Sequence, residues 1–264
     1  MSRSASAGGG LLAGLALVSF VVSRLSPEVV AAACPLGQDL LRPERSVCAL
    51  ALGGLWVSLA IGVCAGALAT VAGLGVAACA RLLGGAPEAL LMRGVEAVFS
   101  LPDVLMVMVL QLAAEAFAEA HPSWGVGGFS RMVLSLALVT WAGPARMFRD
   151  RLETLGRQEF VSAARALGGS SVHVMRLHLW PGLRGFVLAV FLSRLPAAVL
   201  AESTVSFLGV ASMEPMSLGR YLGTSYSALI YEGGSRIVLP AWGLLVLLVL
   251  GASLAARPAS VRTR

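Results

Sequence analysis

The sequence predicts an all-α, polytopic membrane protein: about six transmembrane helices in a single domain over residues 1–264, with a long helical loop on the cytoplasmic side. Three observations carry this. Hydrophobic residues make up 57% of the chain and charged residues only 13%, against roughly a quarter charged in soluble domains. Apolar runs of bilayer-spanning length recur, with glycine scattered through them as membrane helices tolerate; barrel strands would instead alternate over about ten residues. One connection, 149–182, is too long and too basic to be a plain turn between spans.

The first expected span is 9–25, short for a bilayer that needs about 20 residues. Arg3 before it and AAAC after it also fit a signal peptide, but Ser26, Pro27 and Glu28 set the small residues too far from the apolar core for cleavage. The second span, 49–80, is longer than needed and interrupted by glycines. The third, 89–118, contains SLPD at 100–103, where Pro102 removes a backbone hydrogen bond and should kink the helix. The fourth, 130–148, carries TWAGPAR at 140–146; the fifth is 183–210 and the sixth 236–256. Segment 211–235 reads as a loop rich in Gly, Ser and Tyr, with a short helix at its middle. Arginine placement sets the orientation. With the N-terminus inside, 13 arginines fall on the inner side and 6 on the outer, with Arg194 within a span. Both termini and the 149–182 loop are therefore expected in the cytoplasm.

All 20 basic residues are arginine. Without lysine the chain can build neither a phosphate-binding loop of the G-x-x-x-x-G-K-[ST] type nor a Schiff base, so any ATP-driven process must draw on a separate ATPase. The cysteines at 34, 48, 64 and 79 form no C-x-x-C pair. Cys64 and Cys79 read as small buried residues; Cys34 and Cys48 both suit the outer side, where a disulfide between them is one reading. His121, His173 and His178 form no ligand cluster, so no metal site is expected. There is no G-x-S-x-G and no histidine well inside a span, so no catalytic residue is assigned. No nucleic-acid partner is expected. Met92, Met106 and Met108 read as core packing.

Within the loop, Phe160, Ala163, Ala164 and Leu167 recur at i, i+3, i+4 and i+7, one apolar helical face whose alanines allow close approach. Gly168 and Gly169 end that helix. Ser170 or Ser171 can cap a second one, running from Val172 to Pro181, where it should break or kink. A basic amphipathic helix suits both anionic lipid and a protein partner; the tight Gly-Gly turn favours the protein.

The stretch EFVSAARALGGSSVHVMRLHLWPG (159–182) resembles the cytoplasmic EAA loop of ABC-importer permeases. Ser162, Ala163, Ala164 and Gly168 occupy the E-A-A and G positions, and His178-Leu179-Trp180-Pro181 those of H-I-L-P. With PLGQD (35–39), TWAGPAR and LAESTVSFLG (200–209), the chain is similar to the second permease subunit of dipeptide, oligopeptide and nickel importers over roughly 35–235. It departs from that pattern at Ser162, with Glu159 one turn earlier, at Trp180 and Gly182, and where Leu-Leu-Arg-Pro follows PLGQD. The resemblance implies a cell (inner) membrane subunit without enzyme activity. Its partners would be a homologous second permease, one or two cytoplasmic P-loop ATPases that bind the ATP and Mg, an external substrate-binding protein, and membrane lipid. This chain itself would bind no cofactor. The implied ATPase-coupling loop comprises Glu159, Phe160, Ser162, Ala163, Ala164, Arg165, Gly168, Gly169 and Pro181. Phe160, Ala163, Ala164 and Gly168 would form the seat, and Arg157 and Arg165 would pair with acidic residues at its rim. Peptides are the implied cargo, with nickel or a nickel chelate as the alternative. A secondary transporter or channel subunit is the reading of a different class, against which the motif-bearing loop argues.

Asp103, Arg194 and Glu202 are candidate translocation-pathway residues, because ionisable groups within a bilayer are costly. Snorkelling is the alternative for Arg194 and Glu202, and Asp103 is expected to pack against a neighbouring helix. Arg194 and Glu202 are separated by about 12 Å of helix rise, too far for a direct bridge. Segments 26–47 and 211–235 are the candidate surface for the external protein; Tyr221, Tyr226 and Tyr231 fit that surface or an aromatic belt.

Overall fold

A computed structural model describes residues 10, 12–17, 46–124, 126–211 and 216–256. The first expected span falls mostly outside these residues, as do PLGQD, Cys34, most of segment 26–47, residues 212–215 and the chain beyond 256. Residues 12–17 are helical, and Leu12 and Leu15 pack against the core formed by the start of the next helix and the last two helices.

That next helix, α1 (Val47–Leu83), is the axis of the fold. Ser46 caps it by accepting the Ala49 N–H at 3.2 Å, and Gly84, at φ 62°, ends it. Its small residues let three other helices reach its backbone. Gly54 lies against the backbone of Leu218 and Gly62 against Val199. At Gly73 an added Cβ would come within 2.6 Å of Pro144 Cβ and 2.7 Å of the Ala145 nitrogen. Lipid tails are as apolar as side chains, so such close backbone packing is what holds membrane helices together. Gly73→Val should therefore push Pro144 away at a cost of about 2–3 kcal/mol, read as a lowered unfolding midpoint in detergent.

After α1 come α2 (Gly85–Phe99) and α3 (Asp103–Ala120), bent by 86° at the break between them. The kink expected at Pro102 is a full corner. Pro102, at ψ 113°, is the N-cap of α3; it offers no N–H to continue α2, and the residue before a proline is pushed out of the helical region. The expected fourth span is two helices, α4 (Gly128–Thr140) and α5 (Ala142–Gly156), joined at Trp141. The latter runs eight residues past the expected end at 148 and so takes in the first part of the loop. The remainder is α6 (Glu159–Ala166), α7 (Ser171–Phe207), α8 (Leu218–Ser225) and α9 (Ser235–Ala256). Helices α1, α7 and α9 are long and apolar enough to cross a membrane, and the bent pair α2–α3 would make a fourth span.

Cys64 and Cys79 are exposed rather than buried; α1 turns Gly62, Gly66 and Gly73, with Ala65, Ala69 and Ala77, inward, which leaves the thiols on its outer face. Tyr221 is fully buried on α8 within the core, so only Tyr226 and Tyr231 are exposed as an aromatic belt or a docking surface would require. Cys48 is disulfide-bonded.

Candidate functional site

The loop between α5 and α7 is built as a supported helix. On α6, Val161 is fully buried and Ala164 partly so, both packed on a cluster containing Ala77 of α1, Phe148 and Leu152 of α5, and Val174, Leu179 and Leu183 of α7. Phe148 and Phe186 meet edge to face at 5.8 Å in the same cluster. The opposite side of α6 is apolar and open: Phe160 is 48% exposed and Leu167, its C-cap, 90%, with Ala163 exposed between them. The single apolar face expected from periodicity is thus two faces. Ala164 belongs to the inner one with Val161, and Phe160, Ala163 and Leu167 form a ridge outside. Phe160 is backed by His178, with ring centroids 6.3 Å apart, which ties the ridge to α7.

The turn after α6 is a Schellman motif. Gly169 N–H donates to the Ala164 carbonyl at 3.0 Å and Gly168 N–H to Arg165 at 2.9 Å. Gly168 sits at φ +83°, the left-handed region that glycine enters without steric cost. Ser170 is the cap of α7, accepting the His173 N–H at 3.3 Å. Pro181 does not break that helix. A π-turn over Met175–Leu179, closed by Trp180 N–H to the Met175 carbonyl, precedes it. The turn is widened just before a residue that has no N–H to donate, and α7 runs on as one helix from the loop through the bundle. Ser162 and Arg165 are exposed, as is Glu159 in the first turn of α6.

The three ionisable candidates fall in two places. Asp103 and Arg194 share one, their charges interacting without an ion pair. Arg194 is partly buried where glycines make room for it: Gly66 of α1 faces its Cβ, and its Nη1 lies 3.0 Å from where a Gly143 Cβ would be. Its Nε is buried and has no hydrogen-bond partner. Asp103 is exposed on the surface of the chain, at the corner that follows Pro102, and the residue it interacts with is Arg194 of α7.

Glu202 is elsewhere and fully buried. It accepts from Ser58 Oγ at 2.8 Å, from Ser206 Oγ at 2.8 Å and from Ser203 Oγ at 3.3 Å, and Ser217 hydrogen-bonds to it as well. The hydroxyls relay: Ser58 Oγ accepts the Leu218 N–H at 3.1 Å and Ser217 Oγ the Arg220 N–H at 3.2 Å. One carboxylate thereby holds α1, α7 and the first turn of α8 together. Snorkelling is excluded for it. Close packing supports the latch, since a Cβ on Gly219 would lie 2.5 Å from Ser203 Cα and one on Gly223 would meet the Phe207 carbonyl.

Sequence reasoning missed Ser58 on α1 and Ser217 at the cap of α8, the burial of Val161, and a cleft of arginines beside α6. Ser203 and Ser206 were legible as near neighbours of Glu202; Ser58 and Ser217 are remote in sequence and carry no local signal.

Comparison with known proteins matches residues 69–257 to the family described as "Binding-protein-dependent transport system inner membrane component". The chain is similar to the oligopeptide transport system permease protein OppC of Escherichia coli (strain K12), 30% identical over 213 residues, covering 79% of this chain and 61% of that protein. It is also similar to OppC of Haemophilus influenzae, at 27% over 195 residues (74% and 57%). Similarity to the dipeptide transport system permease protein DppC of Bacillus subtilis is 27% over 164 residues (62% and 48%). The matched region spans 48–61% of the length of these relatives. With an apolar bundle of helices and a supported helical loop between its fifth and seventh elements, the chain belongs to the family of inner membrane components of binding-protein-dependent transport systems.

Proposed function

We propose that this chain is one of two homologous permease subunits of an ATP-driven importer, and that α6 is the element through which a separate cytoplasmic ATPase drives it. The observation that carries this is the outer ridge of α6. Phe160, Ala163 and Leu167 are exposed on a short helix whose other face is fixed to α1, α5 and α7. An exposed apolar ridge on a rigid mount suits insertion into a partner's groove. Because its inner face shares one cluster with three long helices, a displacement of α6 moves them as a packed body. Glu159, Ser162 and Arg165 surround the ridge, and as rim contacts they act mainly on docking rate and salt sensitivity.

The arginine asymmetry supports an orientation with both termini and α6 in the cytoplasm. ATP and Mg belong to the ATPases, and substrate arrives from an external binding protein, with α8 and the segment around it as its docking surface. Asp103 and Arg194 line the translocation pathway; the exposed position of Asp103 at the Pro102 corner suits a surface completed by the second permease. Peptides, the cargo that the relatives' names state, are the proposed substrates.

Gly168→Glu tests the assignment. At φ +83° any side chain strains the turn by about 1 kcal/mol, and a carboxylate is added beside the ridge. The variant should remain in the membrane while ATPase co-purification falls. Unchanged ATPase recovery would overturn the role of the loop.

A further inference from the structure

We infer that Arg81, Arg149, Arg157 and Arg165 hold a phosphate-bearing anion in a cleft beside α6. The cleft, about 460 Å³, is lined by these four arginines together with Glu88, Glu153, Gly85 and Gly156. It is assembled from the last turn of α1, the start of α2, the end of α5 and α6, so no single stretch of sequence announces it.

Charge is the first ground. Four guanidiniums face two carboxylates. Arg157 donates to Glu153 at 2.6 Å, and that contact holds the Glu153 carboxyl below its ordinary range. Arg149 approaches Glu88 only at 3.7 Å, beyond hydrogen-bond distance. Arg81 and Arg165 form no ion pair with either carboxylate, although the Arg81 charge acts on Glu153 from a distance, and four guanidiniums against two carboxylates leave a net excess of two positive charges. Unmet donors are the second ground. The Nε atoms of Arg81 and Arg149 are both buried without a hydrogen-bond acceptor, and a buried donor left unmet is costly. An oxyanion in the cleft supplies acceptors to both. The third ground is the end of α2: Gly84 offers no side-chain cap, and Gly85 lines the cleft. The start of a 15-residue helix thus brings the Gly85 backbone and the positive end of the helix dipole to the same rim, although Pro87 has no N–H to offer and the Glu88 N–H already donates to Gly84. Guanidinium forks approaching from several elements match the tetrahedral oxygens of a phosphate.

Two sources carry that chemistry. Arg81 lies in the last turn of an apolar helix long enough to cross a membrane, and a basic side chain at such an end can reach phospholipid headgroups; a free phosphate could reach the cleft from water. Only the lipid source rests on the membrane orientation proposed above.

The test uses the full chain in nanodiscs, without an ATPase. Native mass spectrometry after reconstitution in phosphatidylcholine doped with phosphatidylglycerol should find phosphatidylglycerol retained by about tenfold over phosphatidylcholine. That preference should vanish in Arg81→Gln/Arg165→Gln, return in part in Arg81→Lys/Arg165→Lys, and survive Arg184→Gln, a control outside the cleft. Inorganic phosphate is then titrated into protein in pure phosphatidylcholine and followed by calorimetry. Retained phosphatidylglycerol without phosphate binding identifies the lipid headgroup; phosphate binding that the glutamine pair abolishes identifies the free ion. Neither ligand binding to the parent chain, or binding that survives the glutamine pair, overturns the site. Absence of both ligands together with loss of ATPase co-purification in that variant would instead give these arginines to a partner's carboxylates. Failure of the importer reading would leave these binding results unchanged, and their failure would leave the α6 ridge untouched.

Discussion

Glu202→Leu should melt far below the parent chain in detergent, whereas Glu202→Gln should keep most of the stability. The carboxylate is fully buried and receives hydroxyls from Ser58, Ser203 and Ser206. Leucine fills a similar volume but accepts nothing, so the hydroxyls of Ser58 on α1, of Ser203 and Ser206 on α7, and of Ser217 at the cap of α8 lose their common acceptor. Removing one member of a buried polar network costs about 3–5 kcal/mol, partly relieved where Ser206 turns back to a carbonyl of its own helix. Glutamine keeps one acceptor oxygen and adds a donor that the cage does not need, so its cost is about 1–2 kcal/mol. Thermal unfolding followed by tryptophan fluorescence measures both. A leucine variant melting within about 2 °C of the parent would mean that Glu202 does not hold α8 to the bundle.

The second large effect is on partnership. Phe160→Asp combined with Leu167→Asp should reduce ATPase binding by about 100-fold or more, since exposed apolar anchors at interfaces each contribute about 2 kcal/mol or more. The fold should be unaffected, because these side chains are 48% and 90% exposed. Val161→Asp is the contrast: it puts a charge into the cluster of Phe148, Leu152 and Leu179 and should loosen the loop itself. Pull-down of the ATPase, paired with unfolding midpoints, separates the two. Undiminished binding by the double aspartate variant would remove α6 as the docking element.

Much of this was legible from local signals. Apolar runs located α1, α3, α7 and α9, and the glycine pair placed the turn after α6, with its cap narrowed to Ser170 or Ser171. Pro102 signalled a bend, though not its size, because the angle depends on what α2 packs against. Pro181 does not break its helix: a proline's cost is local, and the π-turn before it is made by residues that carry no breaker of their own. The split of α6 into two faces also escaped. Val161 and Phe160 are adjacent and both apolar, and only the position of Phe148 and Leu152 decides which of them turns inward. The glutamate latch and the arginine cleft are tertiary constructions, each assembled from segments far apart in the chain, and periodicity cannot read across such separations.

That latch also bears on how the protein is made. Ser58 precedes Glu202 by 144 residues, so the first acceptor-seeking hydroxyl is synthesised and inserted well before the carboxylate emerges. Leu218, 160 residues after Ser58, follows Glu202 by 160 − 144 = 16 residues. At about 5–20 residues per second, the interval in which the membrane holds a half-answered glutamate lasts about one to three seconds. A ribosome stalled within it leaves a nascent chain whose carboxylate lacks Ser217 and the amides of α8. Such chains hold Glu202 with the hydroxyls of Ser58, Ser203 and Ser206 alone, and the first turn of α8 completes the set.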